Sequence, residues 1–324
     1  MDSAPTLVMD FGYHHASFDY VDCPDSPAIE STVERAQWVE SEGFTWLSLM
    51  DHVWQLPFVG QRDEPFLDCY TALPAVAQAT DSLELSALVT CPHYRNPGYL
   101  GRTLATLDHV SGGRAVLGIG AGWYEDEYDA MDLEYPDIAT RNRQLRETIE
   151  ICRAMWSEDS PVSYQGEHYE IDDFYCEPKP EDGIPVLVGG GGEELTLRAT
   201  AEYADRWNVP SGDPDAIDHK LDVLEGHCED LGTDDAAITK TVGNRTVIRE
   251  SSEDAHETYE ELMGRTEAGP TPRDEGRGAV GSPAEVAHRL QRFDEVGVDT
   301  FMLMVPSNDR RTVELFVDEV MGSL

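Results

Sequence analysis

Lysine is nearly missing from this chain. Its 324 residues include three, Lys179, Lys220 and Lys240, among 23 basic residues set against 64 acidic ones, for a net charge of −41. So negative a surface repels a phosphate backbone, which excludes nucleic acid as a partner. No apolar run reaches the length of a membrane span, and residues 1–6 carry neither the basic nor the apolar part of a signal segment. A soluble, cytoplasmic protein with no membrane partner is expected. The six cysteines (Cys23, Cys69, Cys91, Cys152, Cys176, Cys228) are scattered with no CxxC pair. That argues against a disulfide framework or a zinc knuckle and for reduced thiols. Neither HxH nor HExxH spacing occurs, so no metal site is expected, and no GxSxG elbow offers a serine nucleophile.

The acids themselves are spread along the chain rather than gathered in a tail, many on prospective helix faces (Glu30, Glu34; Asp215, Asp218, Asp222). An acidic, lysine-poor surface over an apolar core suits solubility at high salt, so a halophilic archaeon is the expected source.

Alternation is what the sequence does have. Apolar runs at residues 6–11, 44–50, 83–90, 115–120, 186–188, 206–209, 238–247 and 300–304 read as strands. Between and after them, 27–42, 69–80, 98–111, 141–156, 193–203, 214–231, 283–296 and 310–321 read as helices. Eight strand–helix units with no composition break predict an α/β protein of one domain over 1–324, a single (β/α)8 TIM barrel rather than an open doubly wound sheet. Segments beyond this pattern are insertions: an aromatic and acidic stretch at 123–137, suited to a lid on the carboxyl face; a small exposed hairpin at 162–174; and a partly mobile stretch at 249–280.

Residues 95–123 (RNPGYLGRTLATLDHVSGGRAVLGIGAGW) are the most informative stretch. Leu100, Leu104, Leu107 and Val110 recur at helical spacing, Gly112-Gly113 stop the helix, and a buried strand runs into Gly118, Gly120 and Gly122. Glycines at a barrel strand's carboxyl end either clear space for a ligand or relieve crowding. They are not a dinucleotide fingerprint, which would sit at the first βα turn and open a helix. Gly189, Gly190, Gly191 and Gly192 lie between a strand and a helix, and expose backbone N–H groups beside a helix N-terminus: a phosphate cradle, or a flexible connection. No Lys-Ser/Thr follows, so this is not a P-loop. Asp51-His52 closes the second strand. A histidine there can serve as general acid or base with the neighbouring carboxylate orienting it, or can be purely structural. His14 and His15 hold the same position after the first strand, where Tyr13-His14-His15 form its polar exit.

With those residues in view, the chain resembles the bacterial luciferase-like monooxygenase superfamily, in particular its coenzyme F420-dependent oxidoreductase branch. The resemblance covers nearly the whole chain. It rests on Asp51-His52, on the stretch from Arg95 to Trp123, on PVLVGGGG ending at Gly192, and on ATAEYADRWN ending at Asn208. It implies a barrel that binds coenzyme F420, or alternatively FMN, at its carboxyl face, takes a small-molecule substrate, and forms a homodimer. It further implies a cis peptide at Ala87–Leu88 behind the ring, Thr90 at the ring edge, Gly120 and Gly122 bordering the cofactor, and Gly189–Gly192 on its phosphate. Asp51 and His52 would border the cofactor too, with His52 the acid/base. Relatives that act on sugar phosphates carry a glutamate just after the fourth-strand glycines. Here Trp123 takes that place, with Glu125 two residues on, so these two, with Tyr13 and His14, are the expected substrate and lid residues.

Overall fold

The structure, a computed structural model, describes residues 9–209, 212–269 and 278–323. In chain order its elements are β1 (Asp10–His15), α1 (Ala28–Ser41), β2 (Trp46–Leu49), α2 (Cys69–Ala79), β3 (Glu84–Ala87), α3 (Pro97–Ser111), β4 (Ala115–Ile119), α4 (Glu125–Ala130) and α5 (Ile138–Ser157). There follow β5 (Val162–Gln165), β6 (Glu170–Phe174), β7 (Val186–Gly189), α6 (Thr196–Tyr203), β8 (Arg206–Val209), α7 (Pro214–Leu231) and β9 (Thr239–Ile248). The chain ends with α8 (Ser252–Gly264), β10 (Ala279–Gly281), α9 (Pro283–Glu295), β11 (Thr300–Met304) and α10 (Arg310–Leu315). Strands β1, β2, β3, β4, β7, β8, β9 and β11 pair in parallel, and the β8–β9 and β11–β1 pairings close them into the expected (β/α)8 barrel.

Local chemistry sets the element ends. Asn96 accepts from the N–H groups of Gly98 and Tyr99 and precedes Pro97, so α3 starts where the RNP sequence dictates. Its end falls at Gly112, whose φ of 72° is left-handed. Strand alternation then sends one set of side chains into the barrel and the other to the helix layer. Inside, Trp46, Val116, Leu187 and Met302 form a small cluster with Leu88 and Val89. Beneath it the Arg206 guanidinium binds Glu84 in two bonds of 2.5 and 2.6 Å and lies 5.0 Å from the Trp46 ring, which fills the amino end of the barrel. The carboxyl end is thereby left as the one with room for a ligand.

Several expectations move. The first strand is Asp10–His15, four residues later than residues 6–11, so Tyr13, His14 and His15 belong to it and are not an exit. Residues 6–8 lie outside the described ones. The stretch at 249–280 is not a plain insertion: α8 packs against β9, and β10 adds a parallel strand to the end of β9. Residues 270–277 fall outside the described set. The hairpin at 162–174 forms as β5 and β6, and three consecutive N–H groups at its turn (Glu167, His168, Tyr169) donate to the Glu147 carboxylate of α5.

The alternation of β1 also produces a pH dependence. His15 is fully buried in the helix layer between Tyr13 and Phe18, and burial pulls its pKa down to about 3. In the unfolded chain it titrates near 6.5. Below that pH the unfolded state binds a proton that the folded state refuses, so His15 costs stability increasingly as pH falls from about 6.5 to about 3. The slope is up to about 1.4 kcal/mol per pH unit. Urea midpoints across this window should therefore fall more steeply for the wild type than for His15→Phe; parallel curves would refute the assignment.

Candidate functional site

A cavity of about 1300 Å³ opens at the carboxyl end of the barrel. Its walls come from the ends of nearly every barrel strand, among them His14, Met50, Leu88, Gly120, Gly189, Asn208, Arg245 and Met304. That is more than the few hundred Å³ that one small ligand fills, and is room for a tricyclic ring and a substrate together.

The back wall is a bulge. After Ala87 the third strand leaves its register, the Leu88–Val89 peptide is cis, and pairing resumes only at Thr90, which bridges to Ile119. The expected cis bond was one residue earlier, at Ala87–Leu88. Ala87 itself is buried and does not line the cavity; its carbonyl presses on Gly118, whereas Leu88, Val89 and Thr90 all reach the cavity wall. This changes what the glycines do. A Cβ at Gly189 would lie 2.7 Å from Val89 Cγ1, and one at Gly120 would lie 2.9 Å from Val89 Cγ2. Both glycines line the cavity, and both also make way for the bulge. At Gly118 a Cβ would collide with the Ala87 backbone carbonyl. Gly118→Ala is therefore expected to cost about 1–3 kcal/mol of stability through overpacking, read from denaturant midpoints; a neutral result would mean the bulge yields freely.

Asp51 and His52 diverge, as neighbours on an extended chain do. Asp51 is buried, and both its oxygens are taken: Arg95 binds it at 2.6 and 2.9 Å, and the Thr90 hydroxyl donates to it. Arg95 also lies 4.7 Å from the Tyr70 ring. Asp51 therefore locks the bulge in place and does not orient His52. The same carboxylate also fixes Thr90, whose hydrogen points to Asp51, so that its oxygen can only accept from the cavity.

The carboxylate that orients His52 is Glu127. His52 Nδ1 lies 2.8 Å from Glu127 Oε2, and the Val53 N–H donates to Oε1 at 2.6 Å. The Tyr94 hydroxyl donates to the same Oε2. Burial alone would raise the Glu127 carboxyl, but the His52 ring and these other donors hold it below its ordinary value. An ionised Glu127 can only accept, so Nδ1 carries the hydrogen and the His52 Nε2 lone pair is the one left to work. Trp123 and Tyr124 stand edge-on to the His52 ring, with centroids 5.9 and 6.2 Å away.

The other sequence-derived candidates divide. His14 lines the cavity, bonds Ser48 Oγ at 2.9 Å, and is pulled by burial to about 4, so it is neutral at pH 7. Tyr13 points the opposite way, into the helix layer, where its hydroxyl donates to Asn308 and accepts from Arg35; it is not a substrate residue. Trp123 is at the mouth, half exposed, its ring tilted 38° to that of Phe58 with centroids 6.0 Å apart. Glu125 faces solvent from the first turn of α4 and does not line the cavity. Gly122 has a φ of +75°, and a Cβ there would strike the Tyr128 hydroxyl and lie 2.8 Å from Cys91 Sγ. Gly190, Gly191 and Gly192 border the cavity with Gly189, but α6 begins at Thr196 and not at Glu193.

Sequence reasoning missed Glu127, Tyr94, Arg95 and Val89. A signal existed for the first: Tyr124, Glu127 and Tyr128 share one helical face at i, i+3 and i+4, and two of the three are fully buried. Cys91, beside Tyr128, is pushed up to about 11 by burial and stays a thiol, which removes it as a nucleophile.

These parts make up a (β/α)8 barrel with an apolar bulge behind a glycine-bordered cavity, a carboxylate-oriented histidine at its edge and a glycine loop at its rim, an arrangement with room for a flat ring. The luciferase-like monooxygenase family model matches residues 9–300, and the chain belongs to that family. An F420-dependent glucose-6-phosphate dehydrogenase of Segniliparus rotundus is 26% identical over 308 residues, covering 88% of this chain and 90% of that protein. An uncharacterised protein of Mycobacterium tuberculosis is 32% identical over 205 residues, 59% of this chain and 71% of that one. Among solved structures, an F420-dependent secondary alcohol dehydrogenase in complex with an F420–acetone adduct superposes with a TM-score of 0.82 at 20% identity, covering 98% and 99% of the two chains. A long-chain alkane monooxygenase superposes with a TM-score of 0.79 at 16% identity, covering 99% and 92%. At these identities the structural likeness speaks for the fold.

Proposed function

We propose that this protein is a coenzyme F420-dependent oxidoreductase that moves hydride between the deazaflavin and a small organic substrate, with His52 moving the proton. The observation that carries the reading is the Glu127–His52 pair. It presents a histidine with one nitrogen committed and the other available, at the edge of a cavity built for a flat ring.

The residues fit such a cofactor. Leu88 and Val89 would back the ring, Gly120 and Gly122 leave its border clear, and the loop from Gly189 to Gly192 would take its phosphate through backbone N–H groups other than that of Gly190, which donates to the Asn208 carbonyl. When bound, a deazaflavin supplies a hydride-carrying carbon that does not readily activate oxygen. The chain supplies the rest. His52 Nε2 takes the hydroxyl proton of an alcohol being oxidised, or returns it to a carbonyl being reduced, and the Glu127 carboxylate stabilises the imidazolium in between. Trp123, Phe58, Leu56 and Ile138 form an apolar mouth suited to excluding water. The loop carrying Phe58 is tied down across the mouth: Arg245 donates to the Phe58 carbonyl at 2.9 Å, and the Ala268 N–H donates to that of Pro57 at 2.7 Å.

An FMN-dependent monooxygenase is the second reading, favoured by structural neighbours such as the alkane monooxygenase. A barrel that binds flavin without turnover is a third. Quenching of tryptophan fluorescence by F420 and by FMN separates them, since Trp123 stands at the mouth. Selective binding of F420, followed by its reduction by an alcohol, is the expected result. Tight FMN binding with no response to F420 would overturn the reading in favour of the second. Binding with no turnover of any alcohol or ketone would favour the third.

A further inference from the structure

The glycine loop carries an electrostatic problem of its own. It runs directly into Glu193 and Glu194, and both line the cavity with the glycines. A phosphate dianion arriving there meets two carboxylates, in a chain whose net charge is −41. Backbone N–H groups alone offer partial charges against full ones. The loop needs a cation, and the chain has few to give.

One of its three lysines stands at this loop. Lys220, in the second turn of α7, donates from Nζ to the Gly191 carbonyl at 2.7 Å and to Glu193 Oε1 at 3.2 Å. A Cβ at Gly191 would lie 3.2 Å from Lys220 Cε, so the glycine gives the lysine its path along the loop. Glu193 is anchored from α7 as well, its carboxylate 3.3 Å from His219 Nε2 and its carbonyl 2.8 Å from His227 Nε2. Lys220, followed by His219, holds the Glu193 carboxyl below its ordinary value. The other lysines are elsewhere, Lys179 on the Met155 carbonyl and Lys240 on that of Asp235. Arg245, the guanidinium in the cavity wall, is engaged with Phe58.

The geometry points to Lys220 as the residue that reads the cofactor's phosphate, exchanging its contact with Glu193 for one with the phosphate while Gly191 keeps its stem in place. A flexible four-carbon stem with a compact ammonium suits such an exchange better than a planar guanidinium fixed to two partners. Lys220 is thus the selector for phosphorylated over phosphate-free forms of the ring cofactor. The inference rests on the ring-cofactor reading of the cavity but is indifferent to which ring is bound.

The test uses the intact protein and two ligand pairs that differ only beyond the ribityl chain: FMN with riboflavin, and coenzyme F420 with its phosphate-free deazaflavin riboside. Dissociation constants come from fluorescence titration, with no turnover required. Lys220→Gln should weaken the phosphorylated member of whichever pair binds about tenfold, equivalent to about 1.4 kcal/mol, and leave the phosphate-free member unchanged. Lys220→Arg should recover most of the loss, and Glu193→Gln should tighten the phosphorylated member. Equal weakening of both members, or no change in either, overturns the inference while the cofactor reading stands. Selectivity lost for FMN in a protein that ignores F420 supports the inference and overturns the F420 reading. Failure of the wild type to prefer either phosphorylated form overturns the role of Lys220 outright.

Discussion

Replacing His52 by alanine is expected to lower turnover by about 10²–10⁴-fold, the range over which positioned acid–base groups contribute. Cofactor affinity should stay nearly unchanged, because the ring would rest on Leu88, Val89 and the glycines and not on the imidazole. Glu127→Gln belongs beside it. The glutamine keeps the size and can still accept from the Val53 N–H, but it removes the charge that stabilises imidazolium. It should lower the maximal rate with little change in KM, since the carboxylate that stabilises the imidazolium as it forms is gone. A merely structural Glu127 would change stability and leave the maximal rate of the folded enzyme in place. Full activity in His52→Ala would remove His52 from the mechanism, whichever cofactor is bound.

The second large effect is on folding. Asp51→Ala is expected to destabilise the protein by about 3–5 kcal/mol, because it leaves the largely buried Arg95 guanidinium without its main partner and Thr90 without its acceptor. Arg95 keeps one carboxylate, Asp68, which is more than half exposed, besides the Thr90 hydroxyl and the Tyr70 ring. The exposed pair Arg292–Asp215 is the control: Asp215→Ala should cost under about 1 kcal/mol. Denaturant midpoints of the two variants measure both. Because Asp51 and Thr90 pin the bulge, Asp51→Ala should also loosen cofactor binding, whereas Asp215→Ala should not. An Asp51 variant as stable as the wild type would mean that the ion pair is replaceable and the bulge is held by packing alone.

The strand–helix alternation was legible because burial imposes it locally: a barrel strand is a short apolar run, a covering helix has an apolar stripe, and Gly or Pro stops each. It failed at the edges, where the local pattern is ambiguous. Residues 6–11 are more apolar than 10–15, yet the strand is Asp10–His15, since register with β11 and β2 decides it. Acidic composition made 252–264 read as part of a partly mobile insertion, although Ala255, Tyr259, Leu262 and Met263 give α8 one buried face.

What the sequence determined by itself is the barrel, the acidic surface, the glycines at two strand ends and the histidine at a third. These follow from periodicity, composition and the special conformations of glycine, which act over a few residues. What only the tertiary structure decided is which side chains meet. His52 finds its carboxylate 75 positions downstream in Glu127, and Asp51 turns to Arg95, 44 positions away. The glycines of β4 and β7 make way for Val89 of the neighbouring bulge. Adjacent residues on an extended strand point in opposite directions, and partners across a closed barrel come from different units, so no local pattern could pair them.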